Sequence, residues 1–317
     1  MQGIILAAGK GSRLQPITLK RSKAMVPILG KPIVERVMED LAANGVDDFV
    51  LVVSPDDLYI TRYFRRESDI EADVRFVYQP QRLGMADALL CAAPLITDDF
   101  ILSACDNLIS AEHVGRMIAA WQSSPRPNAV LTLMPIEPDR LGSVGIVEMD
   151  GPWITRITEK PPPEEAPSNI SSLPLYCFSP LILDYLPQVR LSPRGEYELQ
   201  DAIQMLIERD GRVRGVMVEH RLTLTSPADL LALNRHYLFN GDNRPQLAPY
   251  KVGPNTQLIT PLRIESGTTI GENCTIGPNA YIERDCRIGD GVTIRNAVVL
   301  RESIVPDGTT VEDQVMS

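Results

Sequence analysis

Histidine and cysteine are scarce: three and five among 317 residues. The cysteines, Cys91, Cys105, Cys177, Cys274 and Cys286, are scattered, odd in number and without a CxxC pair. That excludes a disulfide framework or a cysteine-built zinc site and reads them as reduced, packed side chains. Basic residues are outnumbered, 31 against 41, and the net charge of −10 argues against a nucleic-acid-binding face. No apolar run approaches the roughly 18 residues of a membrane span. The N-terminus opens on an apolar segment without the basic region of a signal peptide. Neither a membrane nor a nucleic-acid partner is expected, and the expected location is cytoplasmic. An anionic small substrate would need local basic spots on so acidic a chain.

Such spots occur in the first 32 residues, MQGIILAAGKGSRLQPITLKRSKAMVPILGKP. Residues 3–7 form a short apolar run that predicts a buried strand, and it breaks directly into Gly9-Lys10-Gly11-Ser12-Arg13. Glycines there let the backbone approach a ligand and aim its N–H groups at phosphate oxygens. A tight strand-to-helix turn without a ligand gives the same pattern, so the neighbours matter. Arg13 and Lys23 place two cations within reach of whatever the loop holds. The loop is not a Walker motif, since no Gly-Lys-Ser/Thr ends it. Nor is it a dinucleotide fingerprint, because Leu14 replaces the third glycine.

The string LAAGKGSRLQPIT followed by SKAMVPILGKP resembles the signature of the sugar-1-phosphate nucleotidylyltransferases, which join a nucleoside triphosphate to a sugar 1-phosphate and release pyrophosphate. The resemblance implies that Leu6, Ala7, Ala8, Gly9 and Gly11 lie along the nucleotide, that Arg13 grips the leaving pyrophosphate, and that Lys23 neutralises the phosphoryl groups. Gln79 and Gly84, in YQPQRLGMADA, match the family's base-recognition segment. The Ala7-Ala8-Gly9 form of the loop leans toward UTP and leaves dTTP open. Cys105-Asp106-Asn107 resembles the family's Gly-Asp-Asn motif, which makes Asp106 the implied Mg²⁺ ligand. Its alternative use is to cap the helix expected near Ser110. Gly145, Glu159 and Lys160, with Asn169, correspond to the sugar-phosphate half of the family's site: a carboxylate for two sugar hydroxyls and an ammonium for the phosphate.

The chain departs from the family in two places. Ser172 and Pro174 stand where relatives usually carry asparagine and glycine, and a proline lacks the N–H for a backbone contact. Thr223 stands where most relatives carry an aspartate, the second metal ligand, and a neutral hydroxyl is a poorer partner for Mg²⁺. At this point two readings stay open: an enzyme with a modified metal site, or a relative serving as a regulatory or scaffold subunit.

Element order supplies the fold class. Apolar runs at 48–53, 74–78, 100–104 and 128–134 alternate with helical patterns at 32–44 and 85–93. This βαβα rhythm predicts an α/β domain, a GT-A-like (Rossmann-like) mixed sheet with helices on both faces and ligands at the carboxyl ends of its strands. The domain is expected over residues 1–240, with a linker at 241–250. Beyond it Val252, Leu258, Ile264, Ile270, Ile276, Ile282, Ile288, Ile294 and Leu300 fall at intervals of six. That period predicts a short left-handed parallel β-helix of hexapeptide repeats over 251–317, each repeat one side of a triangular coil and three coils in all. Hexapeptide proteins include acyltransferases that use a histidine base. His113, His220 and His236 all precede the repeats, so assembly into a homo-oligomer is the expected use of the tail.

Overall fold

The computed structural model describes residues 1–240 and 250–317, and its contacts divide the chain into two compact units. Met1–Lys10, Ser22–Ala24 and Val34–Leu222 form the first; Gly11–Arg21, Met25–Ile33 and Thr223–Ser317 form the second. Packing therefore divides the chain elsewhere than at residue 240. The first ten signature residues and Lys23 join one unit, and the intervening stretches join the other. Residues 241–249 of the expected linker lie outside the described residues. Among the described residues no helix is long and apolar enough to cross a membrane.

The first unit is built on a nine-stranded sheet. In chain order its strands are β1 (Gln2–Leu6), β2 (Asp48–Val53), β3 (Asp73–Tyr78), β4 (Phe100–Ala104), β5 (Ala129–Pro135), β6 (Gly145–Asp150), β7 (Trp153–Glu159), β8 (Ile170–Phe178) and β9 (Val213–Met217). Their spatial order is β3-β2-β1-β4-β8-β5-β9-β7-β6. The first four strands are mutually parallel, and β8 pairs antiparallel with both β4 and β5, so the sheet is mixed. Ile4, Ile5 and the run from Phe49 to Val53 are fully buried, as continuous apolar strands covered on both faces must be.

Helices α1 (Ile33–Ala42), α2 (Leu58–Arg66), α3 (Met85–Ala92), α4 (Ala111–Trp121) and α5 (Leu199–Arg209) accompany the sheet. Leu131 and Leu133 of β5 pack in one core with Ala86 and Leu89 of α3 and Ile203 and Leu206 of α5. Thr132, between them, points the other way and meets His113 of α4 at 3.0 Å. Alternation along one strand thus assigns α4 to the face opposite α3 and α5. Burial drives the His113 imidazole down to a pKa of about 4, so it is a neutral packing group.

Pro174 is accommodated by an irregularity. The β8–β5 register shifts between Leu173 and Tyr176, and pairing with β4 begins only at Leu175. A bulge there spares the sheet the ladder bond a proline cannot make.

The second unit carries three four-stranded parallel sheets visited in turn, so that every third strand returns to the same sheet. Ile270, Ile276, Ile282, Ile288 and Ile294 are buried inside, which is what the hexads predict. The expected pattern needs three corrections. Four turns are present instead of three. Val299 and not Leu300 pairs with Ile282, because the turn around Asn296, at φ 45°, is one residue short; Leu300 is buried beside the strand. Val252 and Leu258, in the first turn, are 39% and 38% exposed, and among the described residues no earlier turn covers them. The Asn, Asp and Gly residues between the hexad positions make the corners: Asn255, Asn273 and Gly291 recur at one of them, all in the left-handed region.

Helix α6 (Pro227–Asn240) belongs to this unit. Ser226 and Asp229 begin it with a reciprocal capping box: Ser226 Oγ accepts from Asp229 N at 3.2 Å, and Asp229 accepts from Ser226 N at 2.8 Å. Burial tends to raise the Asp229 pKa, but hydrogen bonds from Thr225 and Ser226 outweigh it and hold it below the usual value. Asp229 is therefore committed to the helix end. The distal half of the signature folds as a tight hairpin, Pro27–Ile28 against Lys31–Pro32, with Leu29 N bonded to Asn234 of α6 at 3.0 Å. Gly30, at φ 82°, holds the left-handed conformation that favours glycine, and a Cβ on it would press chiefly on the tip of the Glu265 side chain.

Candidate active site

The carboxyl ends of β1, β3 and β4 surround a cavity of ≈ 490 Å³. Leu6, Ala8, Gly9 and Lys10 line it from the first turn, Gln79, Arg82 and Gly84 from the third, and Cys105 and Asp106 from the fourth. Lys23 reaches the same space and makes an ion pair with Asp106; both side chains are largely buried. Strand ends in an open α/β sheet are where ligands bind, so the location follows from topology. A second cavity of ≈ 510 Å³, near Met1, Gly45, Asp98 and Trp121, lies at the opposite ends of these strands and gathers none of the candidate site residues.

Gly9 is informative because nothing structural demands it. A Cβ there would meet nothing within 4 Å, and its φ lies outside the left-handed region. The bare backbone instead leaves the cavity wall open to a ligand. Ala7 differs from its expected role: its side chain is buried, its N–H continues the ladder to Val52 O at 2.8 Å, and it does not line the cavity. Asp106 does not cap the next helix either, since Ser110 accepts from His113 N and is the N-cap of α4. Beside Asp106, the Cys105 thiol is pushed up to about 12 by burial and then by the Asp106 charge, which leaves it protonated and inert.

The turn after β3 is fixed by further hydrogen bonds. Gln79 Nε2 donates to Gly84 O at 3.1 Å and to Asp87 Oδ2 at 2.7 Å. Arg82, whose role the sequence reading missed, donates to Ala8 O at 2.6 Å and Ser54 Oγ at 3.0 Å, tying the ends of β1, β2 and β3 together. Gly84 has φ 107°, and a Cβ on it would fall 2.5 Å from Tyr197 O. This glycine is needed for the close docking of the Glu196-Tyr197 segment, where Tyr197 N donates to Leu83 O and Ala86 N to Tyr197 O.

Glu159 and Lys160 form a second group, at the end of β7. Gly145 pairs with Glu159 across the β6–β7 ladder, and a Cβ on it would lie 3.0 Å from Glu159 Oε2. Lys160 Nζ lies 3.3 Å and Arg194 Nη2 3.7 Å from Glu159 Oε1, while Oε2 is buried with no hydrogen-bond partner. Burial raises the Glu159 pKa to about 7; the Glu198 carboxylate adds to it and Arg194 opposes it. Lys160 sits at φ 44°, a backbone state that costs a non-glycine residue about 1 kcal/mol or more and concentrates at ligand sites. Arg194 also binds Glu198 at 2.7 Å and Glu196 at 3.2 Å, and Glu196 lines the first cavity. One guanidinium therefore links the two groups, a function not visible in its sequence position. Asn169 is exposed, and its backbone carbonyl accepts from Ile136 N at 2.9 Å. Its side chain is not joined to Glu159 or Lys160 by any described hydrogen bond.

Gly11, Arg13 and Thr223 belong to the second unit. Gly11, at φ 63°, starts the short helix Ser12–Leu14, on which Arg13 is exposed. Thr223 ends the two-residue strand Leu222–Thr223. Among the described residues no group of three or more His, Cys, Asp or Glu could hold a metal ion.

Comparison with known proteins adds the following. A family model described as Nucleotidyl transferase matches residues 2–221, and one described as GMPPB C-terminal domain matches residues 258–317. The chain is 33% identical over 231 residues to the UTP–glucose-1-phosphate uridylyltransferase AglF of Haloferax volcanii, covering 72% of this chain and 93% of AglF. It is 29% identical over 340 residues to the low-salt glycan biosynthesis nucleotidyltransferase Agl11 of the same organism, covering 100% of this chain and 92% of Agl11. Among solved structures, the UTP-bound UGPase from Acinetobacter baumannii matches with a TM-score of 0.66 and 25% identity, covering 76% of this chain and 94% of that one.

Proposed function

The chain belongs to the nucleotidyl transferase family and is a sugar-1-phosphate nucleotidyltransferase, and we propose that it joins UTP or dTTP to a hexose 1-phosphate with release of pyrophosphate. The observation that carries the choice of substrates is the convergence, in one cavity, of a bare glycine backbone, a lysine–aspartate pair and a buried glutamine amide. In this reading the backbone at Ala8 and Gly9 runs along the triphosphate, and Gln79 meets the base. Lys23 leaves Asp106 for the phosphates as negative charge arrives.

The second group takes the sugar phosphate. The partnerless Oε2 of Glu159 is an acceptor suited to a sugar hydroxyl, and the half-exposed Lys160 ammonium suits the phosphate. A phosphate oxygen of the sugar 1-phosphate forms the new bond to the α-phosphorus, in line, as the bond to pyrophosphate breaks. The nucleophile is already an anion, so the protein's work is alignment and charge neutralisation rather than proton removal. Arg13, on the signature segment, is assigned to the departing pyrophosphate.

Mg²⁺ is the proposed cofactor. It binds through one or two carboxylates and completes its shell with water and substrate phosphates, so the Asp106 carboxylate, beside Lys23 in a cavity roomy enough for a nucleotide, fits it. When bound, it would neutralise phosphate charge; Thr223 would contribute a weak oxygen at most. The second unit is read as a left-handed parallel β-helix, and the exposed Val252, Leu258 and Ile259 of its first turn support homo-oligomerisation through it.

Pyrophosphate release measured over UTP, dTTP, ATP, GTP and CTP, crossed with glucose, N-acetylglucosamine, galactose and mannose 1-phosphates, tests the reading. Turnover is expected with UTP or dTTP and at least one hexose 1-phosphate; silence on every such pair would overturn it.

A further inference from the structure

Gln79 is 4% exposed, and the acceptors beside its amide fix which end faces which way. The Gly84 carbonyl at 3.1 Å and the Asp87 carboxylate at 2.7 Å both need a hydrogen. Turning the amide over would set Oε1 against two acceptors, one of them ionised, and forfeit both bonds. Nε2 is therefore committed to the protein, and Oε1 is the end of the amide left for the cavity that Gln79 lines. Gly84 O cannot be changed by a side-chain substitution. Asp87 can, and it stands on the first turn of α3 outside the cavity lining.

We propose that Asp87 is a positioning residue that sets base selectivity by holding the Gln79 amide with its oxygen toward the ligand. A site that presents only an acceptor takes a base whose ring edge carries N–H, as uracil and thymine do. It rejects cytosine and adenine, whose ring nitrogen at that edge is itself an acceptor. The inference rests on the reading that the cavity holds a nucleotide with its base at Gln79. Its new content is that discrimination is set by a carboxylate that never touches the nucleotide.

The test compares kcat/KM for UTP and CTP, with the best hexose 1-phosphate, in the wild type and in D87N, D87A and D87K. The wild type is expected to favour UTP strongly. D87N keeps a carbonyl oxygen that can accept from Nε2, and it should keep the preference. D87K offers a donor to Oε1, and D87A removes the nearer of the two acceptors, leaving the 3.1 Å bond to Gly84 O; each should lower the UTP/CTP ratio, D87K by about tenfold or more and D87A by a smaller factor, chiefly through KM. If D87K fails to fold, D87A, which introduces no charge, decides. A wild-type ratio in folded D87A or D87K would overturn the role of Asp87 while leaving the nucleotide site standing. A wild type that uses neither UTP nor dTTP, or a Q79A variant with unchanged KM for UTP, would overturn the base site itself and this inference with it.

Discussion

Replacing Glu159 by glutamine should change how stability depends on pH. The carboxyl is pushed from its ordinary 4.5 to about 7, first by burial and then by Glu198, against the pull of Arg194. Between those two values the folded protein keeps a proton that the unfolded chain releases. Stability contributed at this position therefore falls as pH rises from about 4.5 to 7 and levels off above. A difference of about 2.5 at ~1.4 kcal/mol each makes the ionised carboxylate a burden of about 3 kcal/mol at pH 8. The amide of the E159Q variant does not titrate. Asp40, raised to about 7 by burial and by Glu39, gives the whole protein a similar trend, so the informative quantity is variant minus wild type. Urea unfolding without substrate at pH 5 and pH 8 should show the E159Q advantage growing by about 2–3 kcal/mol. A difference that stays flat within ~0.5 kcal/mol would refute the burial argument. The same substitution should weaken hexose 1-phosphate binding, because the ionised carboxylate that costs stability is also the better acceptor for sugar hydroxyls.

Two glycines should separate fold from ligand. G9A, with open space around the added methyl, should leave the melting temperature within a degree or two yet raise KM for the nucleotide; normal nucleotide binding would contradict the open-wall reading. G84A, with φ 107° and a methyl 2.5 Å from Tyr197 O, should cost about 3 kcal/mol or prevent folding, and an unchanged melting temperature would count against the docking described for Tyr197. In the second unit, Arg21 and Glu283 form an ion pair at 2.9 Å with side chains 4% and 8% exposed. E283L should destabilise this unit by about 3–5 kcal/mol, because it strands a buried guanidinium, and R21M/E283L should recover much of the loss.

The sequence made legible whatever depended on local chemistry. The apolar strands at 48–53 and 100–104 carry their burial in composition, and the hexads of the tail carry their period. The signature residues Ala8, Gly9, Lys23, Gln79 and Asp106 do line one cavity. Long-range packing was hidden. Nothing near Gly84 announces that Tyr197 will press on it, and Arg82 and Arg194 act through partners on other elements. The short corner at Asn296 escaped because Leu300, at the sixth position, is as apolar as Val299 at the fifth. Pro174 marked a departure from relatives without revealing the bulge that houses it.

On the proposed function, Lys23 and Asp106 sit where a nucleoside triphosphate is cleaved. Pyrophosphate release by K23A, with UTP and the preferred hexose 1-phosphate and with melting temperature followed in parallel, tests it most directly. A loss of about 10²–10³-fold or more in kcat is expected with the fold intact, the usual loss when one preorganised charge-stabilising donor is removed. Wild-type turnover by a folded K23A protein would contradict it.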